Sequence, residues 1–461
     1  MQVLTWGSTL IIVRLLTPTD YGIMGMATMF LGLIQLISEF GLGTALVQRR
    51  GLTDSQVSRI GGLAILIGLG LFGLCASLAP LVAAFFDEPR VRAVVVLLSA
   101  MFVVTGIRVL PASLLARDMA FRRLALIEAT EALTLTVITL SLAIAGARYW
   151  ALVFGGVVSK LVGTLLLSRA RPHRVAWPRD LGSLRQEIIF GWRVAVSKVA
   201  WYAYSNADFA IIGRVLGTAQ LGLYTFGWTI SSIPVDKVSG VLSRVTFPVF
   251  SAVQHDRSAV ARYLALLTEG LTIVLMPASI GLALVAPDFV RVVLGERWVP
   301  AIVPLQALSL VVTLRCLMPI YPTALLALGD ARHNMWVGIV QLLVMPPAFY
   351  VGARLGGING VAIAWLVAYP LIAIPLFPLY VMRRINMPLR RMLLAVWPAV
   401  SSTAGMAVVV LPLQRALSDS AGAVRLAATV AAGAGTYGAV MLLLHRTRLA
   451  AIVASIKALR R

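Results

Sequence analysis

Charge is scarce in this chain. Asp, Glu, Lys and Arg together make up 13% of its 461 residues, against about a quarter in an ordinary soluble domain. Acid is the scarcer sign, with 18 Asp and Glu against 40 Lys and Arg. Cysteine is nearly absent. Cys75 and Cys316 lie far apart inside apolar stretches, which excludes a disulfide framework and reads as core packing. The four histidines, His173, His255, His333 and His445, fall in polar connections with no Cys or His at ligand spacing. No metal site is expected, and no cofactor is implied. Long polar stretches are missing too. The longest connection runs from about Arg169 to Gln186, too short for a separate soluble domain. No nucleophile stands beside a base in a recognisable motif, so an enzyme is not expected.

Hydrophobic residues fill the remainder, at 59%. Apolar runs near 20 residues recur along the whole length, and each is long enough to cross a bilayer. The expected fold class is all-α, a polytopic membrane protein with about 14 transmembrane helices. The spans fall near 3–16, 21–47, 60–86, 93–115, 124–145, 149–168, 188–216, 221–250, 263–286, 301–326, 334–353, 358–382, 392–413 and 424–444. Breaker clusters separate them, among them Thr17-Pro18-Thr19-Asp20, Asp87-Glu88-Pro89, Gly295-Glu296 and Gly356-Gly357. The first span is short, about 21 Å of helix against roughly 30 Å of hydrocarbon. With no basic leader and no cleavage site, a late start or a truncated first helix is expected there rather than a signal peptide.

A net charge of +22 would point to nucleic acid in a soluble protein. Here the cations flank membrane spans, so no nucleic-acid partner is expected. With the amino terminus inside, 23 Lys and Arg fall in cytoplasmic segments and 8 on the opposite face. That bias places both termini in the cytoplasm and favours an even number of spans. Residues 445–461 are basic with an apolar stripe, suited either to an amphipathic helix on the inner leaflet or to a disordered tail.

One stretch occurs twice, about 200 residues apart. Arg14-Leu15-Leu16-Thr17-Pro18-Thr19-Asp20-Tyr21-Gly22 aligns without gaps on Arg214-Val215-Leu216-Gly217-Thr218-Ala219-Gln220-Leu221-Gly222. Both copies sit where one span turns into the next. Two homologous bundles with a substrate site between them would account for this.

Nine cations remain within spans: Arg14, Arg108, Lys160, Arg193, Lys198, Arg214, Lys237, Arg244 and Arg315. Each costs about 2.5–3.5 kcal/mol at mid-bilayer on the lenient insertion scale. Snorkelling is one account of Arg14, Arg193 and Arg214, and it extends to Arg108 and Lys160. Lys198, Lys237, Arg244 and Arg315 are harder to place that way. Lys237 and Arg244 share one helix face, and Lys237 lies one turn beyond Pro234. The acidic candidates are Glu39, Glu128, Glu131, Asp208, Asp236 and Glu269, too few to cancel the positive lean. A positive wet cavity suits an anion such as a phosphate or pyrophosphate. Trp192, Trp201, Tyr202, Tyr204, Tyr224 and Trp228 crowd the seventh and eighth spans. They fit sugar stacking, interfacial belts or core packing equally.

At these residues the chain resembles the polysaccharide-biosynthesis flippases of the multidrug/oligosaccharidyl-lipid/polysaccharide exporter superfamily, and among them the Wzx-like, colanic-acid-type exporters. The likeness rests on Arg14 to Gly22, on Asn206-Ala207-Asp208-Phe209-Ala210-Ile211-Ile212-Gly213-Arg214-Val215-Leu216-Gly217, and on Leu221-Gly222-Leu223-Tyr224. Further matches are Phe247-Pro248-Val249-Phe250-Ser251, Gly295-Glu296-Arg297-Trp298 and Ala327-Leu328-Gly329-Asp330-Ala331. The resemblance implies two pseudo-symmetric six-helix lobes, residues 1–186 and 187–382, with an extra helix pair and basic tail at 383–461. It implies a central cavity lined by helices 1, 2, 7 and 8, in the bacterial inner membrane.

The implied cargo is an oligosaccharide repeat unit on undecaprenyl pyrophosphate, moved between leaflets by alternating access. Membrane lipids and other polysaccharide assembly proteins are the implied partners. The expected substrate-binding cations are Lys198, Lys237, Arg244, Arg14 and Arg214, with Asp208 and Glu39 as coupling or ion-pair residues. Three other readings stay open. A multidrug exporter of cations would need carboxylates in its amino-terminal cavity, where Glu39 is the candidate. A membrane polymerase would need a large external loop, and the longest external segment here is about 287–300, without histidine. A structural scaffold would leave the mid-helix cations unexplained.

Overall fold

The computed structural model describes residues 2–38, 53–177 and 201–449. Among them regular structure is helical, with no strand. Contacts divide the chain into two units, Met1–Gly222 and Leu223–Arg461.

In the first unit, α1 (Gln2–Leu15) meets α2 (Pro18–Ser38) at the first breaker cluster. Pro18 opens α2, where its missing N–H costs nothing. Thr17 and Asp20 cap each other. The Thr17 amide donates to Asp20 Oδ2 at 2.9 Å, and the Asp20 amide donates to Thr17 Oγ1 at 3.3 Å. Next come α3 (Asp54–Phe86), α4 (Arg90–Arg117), α5 (Phe121–Ile144) and α6 (Tyr149–Ala170). A Thr53–Gln56 capping box starts α3, and Asp87 ends it in the left-handed region at φ 54°. The unit also holds α7 (Ala207–Val215) and the first turn of α8 (Thr218–Ala252).

Small residues let these helices approach. A Cβ on Gly68 of α3 would stand 2.5 Å from the Phe102 carbonyl of α4. One on Gly106 of α4 would stand equally close to the Ala64 carbonyl. Close backbone contact is how membrane helices gain packing energy when lipid offers no hydrophobic advantage.

The second unit carries the rest of α8, then α9 (Arg257–Phe289), α10 (Ile302–Leu317), α11 (Ile320–Ala327), α12 (Ala331–Ile374), α13 (Leu389–Ala416) and α14 (Gly422–Leu444). A straight α12 of 44 residues would measure about 66 Å, twice a bilayer core. It breaks at Gly356-Gly357, where Gly357 takes φ 58°. The expected division at this glycine pair is therefore present. The final pair docks on α9. Tyr437 donates to the Ile273 carbonyl at 2.7 Å, Gln414 donates to the Leu284 carbonyl at 3.0 Å, and Arg425 Nε spans both oxygens of Asp288 at 3.0 Å.

Among the described residues nine helical segments are long and apolar enough to cross a membrane. Their outward faces carry bare leucines such as Leu81 at 65% and Leu443 at 81% exposure. Surfaces of that kind suit lipid, not water.

Candidate functional site

The two copies of the sequence repeat meet each other, and both contact surfaces lie within the first unit. Gly22, in the first turns of α2, packs on Thr218 at the start of α8. A Cβ there would stand 2.7 Å from the Thr218 carbonyl carbon and 2.9 Å from its Cγ2. Gly222 returns the contact against Pro18, where a Cβ would stand 2.6 Å from the carbonyl carbon and 2.9 Å from the Gly22 amide. The paired glycines of the repeat are thus the points where the two backbones touch.

Polar contacts pin both turns to the same unit. Asp20 Oδ1 accepts from the Tyr149 amide at 3.1 Å, tying the first turn to the start of α6. Thr218 Oγ1 donates to Glu88 Oε2 at 3.1 Å, tying the second turn to the α3–α4 connection. Arg90 grips Glu88 with Nε and Nη2, each at 2.7 Å. That guanidinium, helped by the Thr218 hydroxyl, holds the Glu88 carboxyl below the usual carboxylate range.

The expected cargo-binding residues are distributed as follows. Arg14 ends α1 and Arg214 lies in the last turn of α7, and both are exposed. Asp208 is fully buried in the first turn of α7, where its Oδ1 accepts from the Phe209 amide at 2.9 Å. Lys198 and Glu39 lie outside the described residues. Lys237 and Arg244 belong to α8, but their side chains lie outside what is described.

Two cations for which snorkelling was one account are paired with a carboxylate instead. Arg108 of α4 reaches Glu131 Oε2 on α5 at 2.5 Å, and Lys160 of α6 reaches Glu131 Oε1 at 2.8 Å. All three lie about ten residues, or about 15 Å, from the nearer ends of their helices. Gly163 of α6 leaves room, since a Cβ there would stand 2.5 Å from Glu131 Oε2. One carboxylate offsets part of the burial cost of both cations. The short reach of this site was hidden in sequence, because no local spacing links α4, α5 and α6.

Arg315 also has an unforeseen environment. Its guanidinium carbon stands 3.7 Å over the Trp228 ring and 5.1 Å from the Trp365 ring. A desolvated cation–π contact contributes about 2 kcal/mol, comparable to the insertion cost of an arginine. Trp228 was among the aromatic candidates, whereas Trp365 was not. In the second unit, Glu269 of α9 is 7% exposed, with Arg448 Nη1 3.9 Å away.

An all-helical, multi-pass membrane architecture with a duplicated, self-contacting turn defines a transporter-type fold. The chain belongs to the polysaccharide biosynthesis protein family, whose profile matches residues 11–303. It is 27% identical over 336 residues to the teichuronic acid biosynthesis protein TuaB of Bacillus subtilis, covering 72% of this chain and 69% of that one. It is 23% identical over 365 residues to the lipopolysaccharide biosynthesis protein WzxC of Escherichia coli, covering 77% and 73%. In fold it is similar to the lipid II flippase MurJ in an inward closed conformation, with TM-score 0.75 at 14% identity over 97% of this chain and 99% of that one. An inward-facing multidrug resistance MATE transporter of the MOP superfamily aligns with TM-score 0.66 at 15% identity, over 84% and 95%.

Proposed function

We propose that this protein moves lipid-linked oligosaccharide repeat units from the inner to the outer leaflet of the bacterial cytoplasmic membrane, for surface polysaccharide assembly. Undecaprenyl pyrophosphate is the proposed carrier. The proposed architecture has fourteen helices, two six-helix lobes at 1–186 and 187–382, an added pair with a basic tail at 383–461, and both termini in the cytoplasm. Family membership and the relatives' names support the cargo class. The observation that carries the mechanism is the mutual contact of the two repeat copies at Gly22 and Gly222. A duplicated turn touching its own copy is what alternating access needs on one side of a membrane. Opening to the outside separates the two turns.

In this reading Lys198, Lys237 and Arg244, with Arg14 and Arg214, neutralise the pyrophosphate, and the sugars occupy water between the lobes. An uncompensated pyrophosphate cannot enter a low-dielectric interior. Asp208 or Glu39 takes the coupling ion. No bond is made or broken. The test is a spheroplast assay that reports which leaflet holds the lipid-linked sugar. Loss of the protein is expected to strand repeat units on the inner leaflet. Lys237→Ala and Arg244→Ala are expected to reduce surface polysaccharide at normal membrane levels. Full polysaccharide in both variants counts against the assignment, and single units accumulating outside would mark a polymerase instead.

One observation favours a second reading. The fold is also that of multidrug transporters, so drug susceptibility of a strain lacking the protein separates the two cargoes.

A further inference from the structure

Glu269 carries its carboxylate into apolar surroundings. It belongs to the segment Arg257–Leu294, about twelve residues, or about 18 Å, from the start of α9. The residue is 7% exposed. Its Oε1 is sealed from solvent and accepts no hydrogen bond among the described residues. An ionised carboxylate so buried needs a partner, whereas the neutral acid costs far less to bury. Packing alone would be served as well by a leucine.

The charged group in range is Arg448. Its Nη1 stands 3.9 Å from Glu269 Oε1, beyond hydrogen-bond reach, and its side chain is 50% exposed. A half-exposed partner at that distance is screened by water and adds little static stability. Arg448 also lies beyond the last helix. The chain leaves α14 after Leu444, and a new turn runs from His445 to Leu449, whose amide donates to the His445 carbonyl at 3.1 Å. This turn begins the basic tail. It touches the second unit at two points, through Arg448 on α9 and through His445, whose Nε2 lies 2.8 Å from Ser401 Oγ on α13.

Other charged or titratable groups on these elements are accounted for. Tyr437 of α14 is committed to the Ile273 carbonyl, and Tyr321 of α11 stands beside Thr268. Arg262 and Tyr263, about two turns nearer the start of α9, stack on each other. Arg390 and Arg391 at the start of α13 are exposed, as is Arg446.

We propose that Glu269 is a proton-binding site whose charge positions the carboxy-terminal tail. Ionised, the carboxylate draws in Arg448 and docks the turn at 445–449. When a proton from water settles on Oε1, the acid is neutral, Arg448 loses its counter-charge, and the turn is released. The site is a switch between two positions of the tail, and it works whatever cargo the protein carries.

The test uses the full-length protein in phosphatidylcholine nanodiscs, with a nitroxide label on Thr447→Cys, an exposed position of the turn. Label mobility is compared at about pH 8 and about pH 5, a window in which histidine also titrates. In the wild-type background the label is expected to be restrained at the higher pH and mobile at the lower, with at least a tenfold change in the ratio of mobile to restrained signal. Glu269→Gln and Arg448→Met are expected to leave it mobile at both. His445→Gln is expected to keep the pH response. The thermal midpoint of Glu269→Gln, freed of a buried charge, is expected at or above the wild-type value.

A label equally mobile at both pH values in the wild-type background overturns the switch. So does a pH response that survives in Glu269→Gln, or one that is lost in His445→Gln, which would make the histidine the sensor. Because Arg448 is half-exposed, Arg448→Met folds independently of the buried site. A label that stays restrained in that variant at the higher pH overturns the docking contact even if Glu269→Gln fails to fold.

Discussion

Adding a single carbon at the repeat contact should favour the separated state. In Gly22→Ala the new Cβ would overlap the Thr218 carbonyl oxygen and stand 2.7 Å from its carbon, whereas non-bonded carbons pack comfortably at about 3.5–4.0 Å. The obstacle is backbone in the first turn of α8, so it cannot rotate away as a side chain would. The turns must part by more than ~1 Å or accept overpacking, which costs about 1–3 kcal/mol and occasionally more. That cost falls only on the state in which the turns touch. At about 2 kcal/mol the equilibrium shifts roughly 30-fold toward the separated state.

A Thr19→Cys reporter in the first turn reads this out through its labelling by a membrane-impermeant thiol reagent added outside the cell. The native thiols of Cys75 and Cys316 are buried at 0% and 1% exposure, so background is low. Labelling should speed up in Gly22→Ala and likewise in Gly222→Ala. It should not change in Gly70→Ala or Gly156→Ala, where a Cβ meets nothing within 4 Å. Unchanged labelling in both repeat variants, at normal protein levels, would refute the idea that this contact closes the outer face.

The α4–α5–α6 triad gives a second expectation. Glu131→Gln leaves Arg108 and Lys160 without their shared carboxylate and should destabilise the protein by about 1–3 kcal/mol, reduced from the fully buried case because Lys160 is 37% exposed. Thermal unfolding in detergent measures it, and Glu131→Gln with Lys160→Met should recover part of the loss. Glu88 gives a third, in pH. Its folded value is depressed by Arg90, so its contribution is present above the unfolded value near 4.3 and is lost as pH falls through the lower folded value. Below about pH 4 the thermal midpoint of the wild type should fall more steeply than that of Glu88→Gln.

Much of the architecture was legible because membrane insertion depends on composition over short windows. Runs of about 20 apolar residues mark spans without any knowledge of their neighbours. The breakers act just as locally, and Thr17-Pro18-Thr19-Asp20 capped a helix and Gly356-Gly357 broke one where each was expected. The repeat was readable as text, and its glycines are the residues that touch. The cations were legible only as anomalies. Snorkelling was a fair account of Arg108 and Lys160 from their distance to helix ends, but Glu131 lies on a third helix and no periodicity points to it.

Sequence alone therefore determined that this is a bilayer protein with a duplicated turn and the motifs of the polysaccharide biosynthesis family. Those properties follow from transfer free energy and local backbone chemistry, which are written residue by residue. Only the tertiary structure decided which charge meets which partner. Glu131 pairs with two cations, Glu88 binds Arg90 and the second repeat, and Arg315 lies over Trp228 and near Trp365. Such pairings depend on helices separated by dozens of residues crossing at one depth, and Coulomb and π interactions act only across the few ångströms that packing sets.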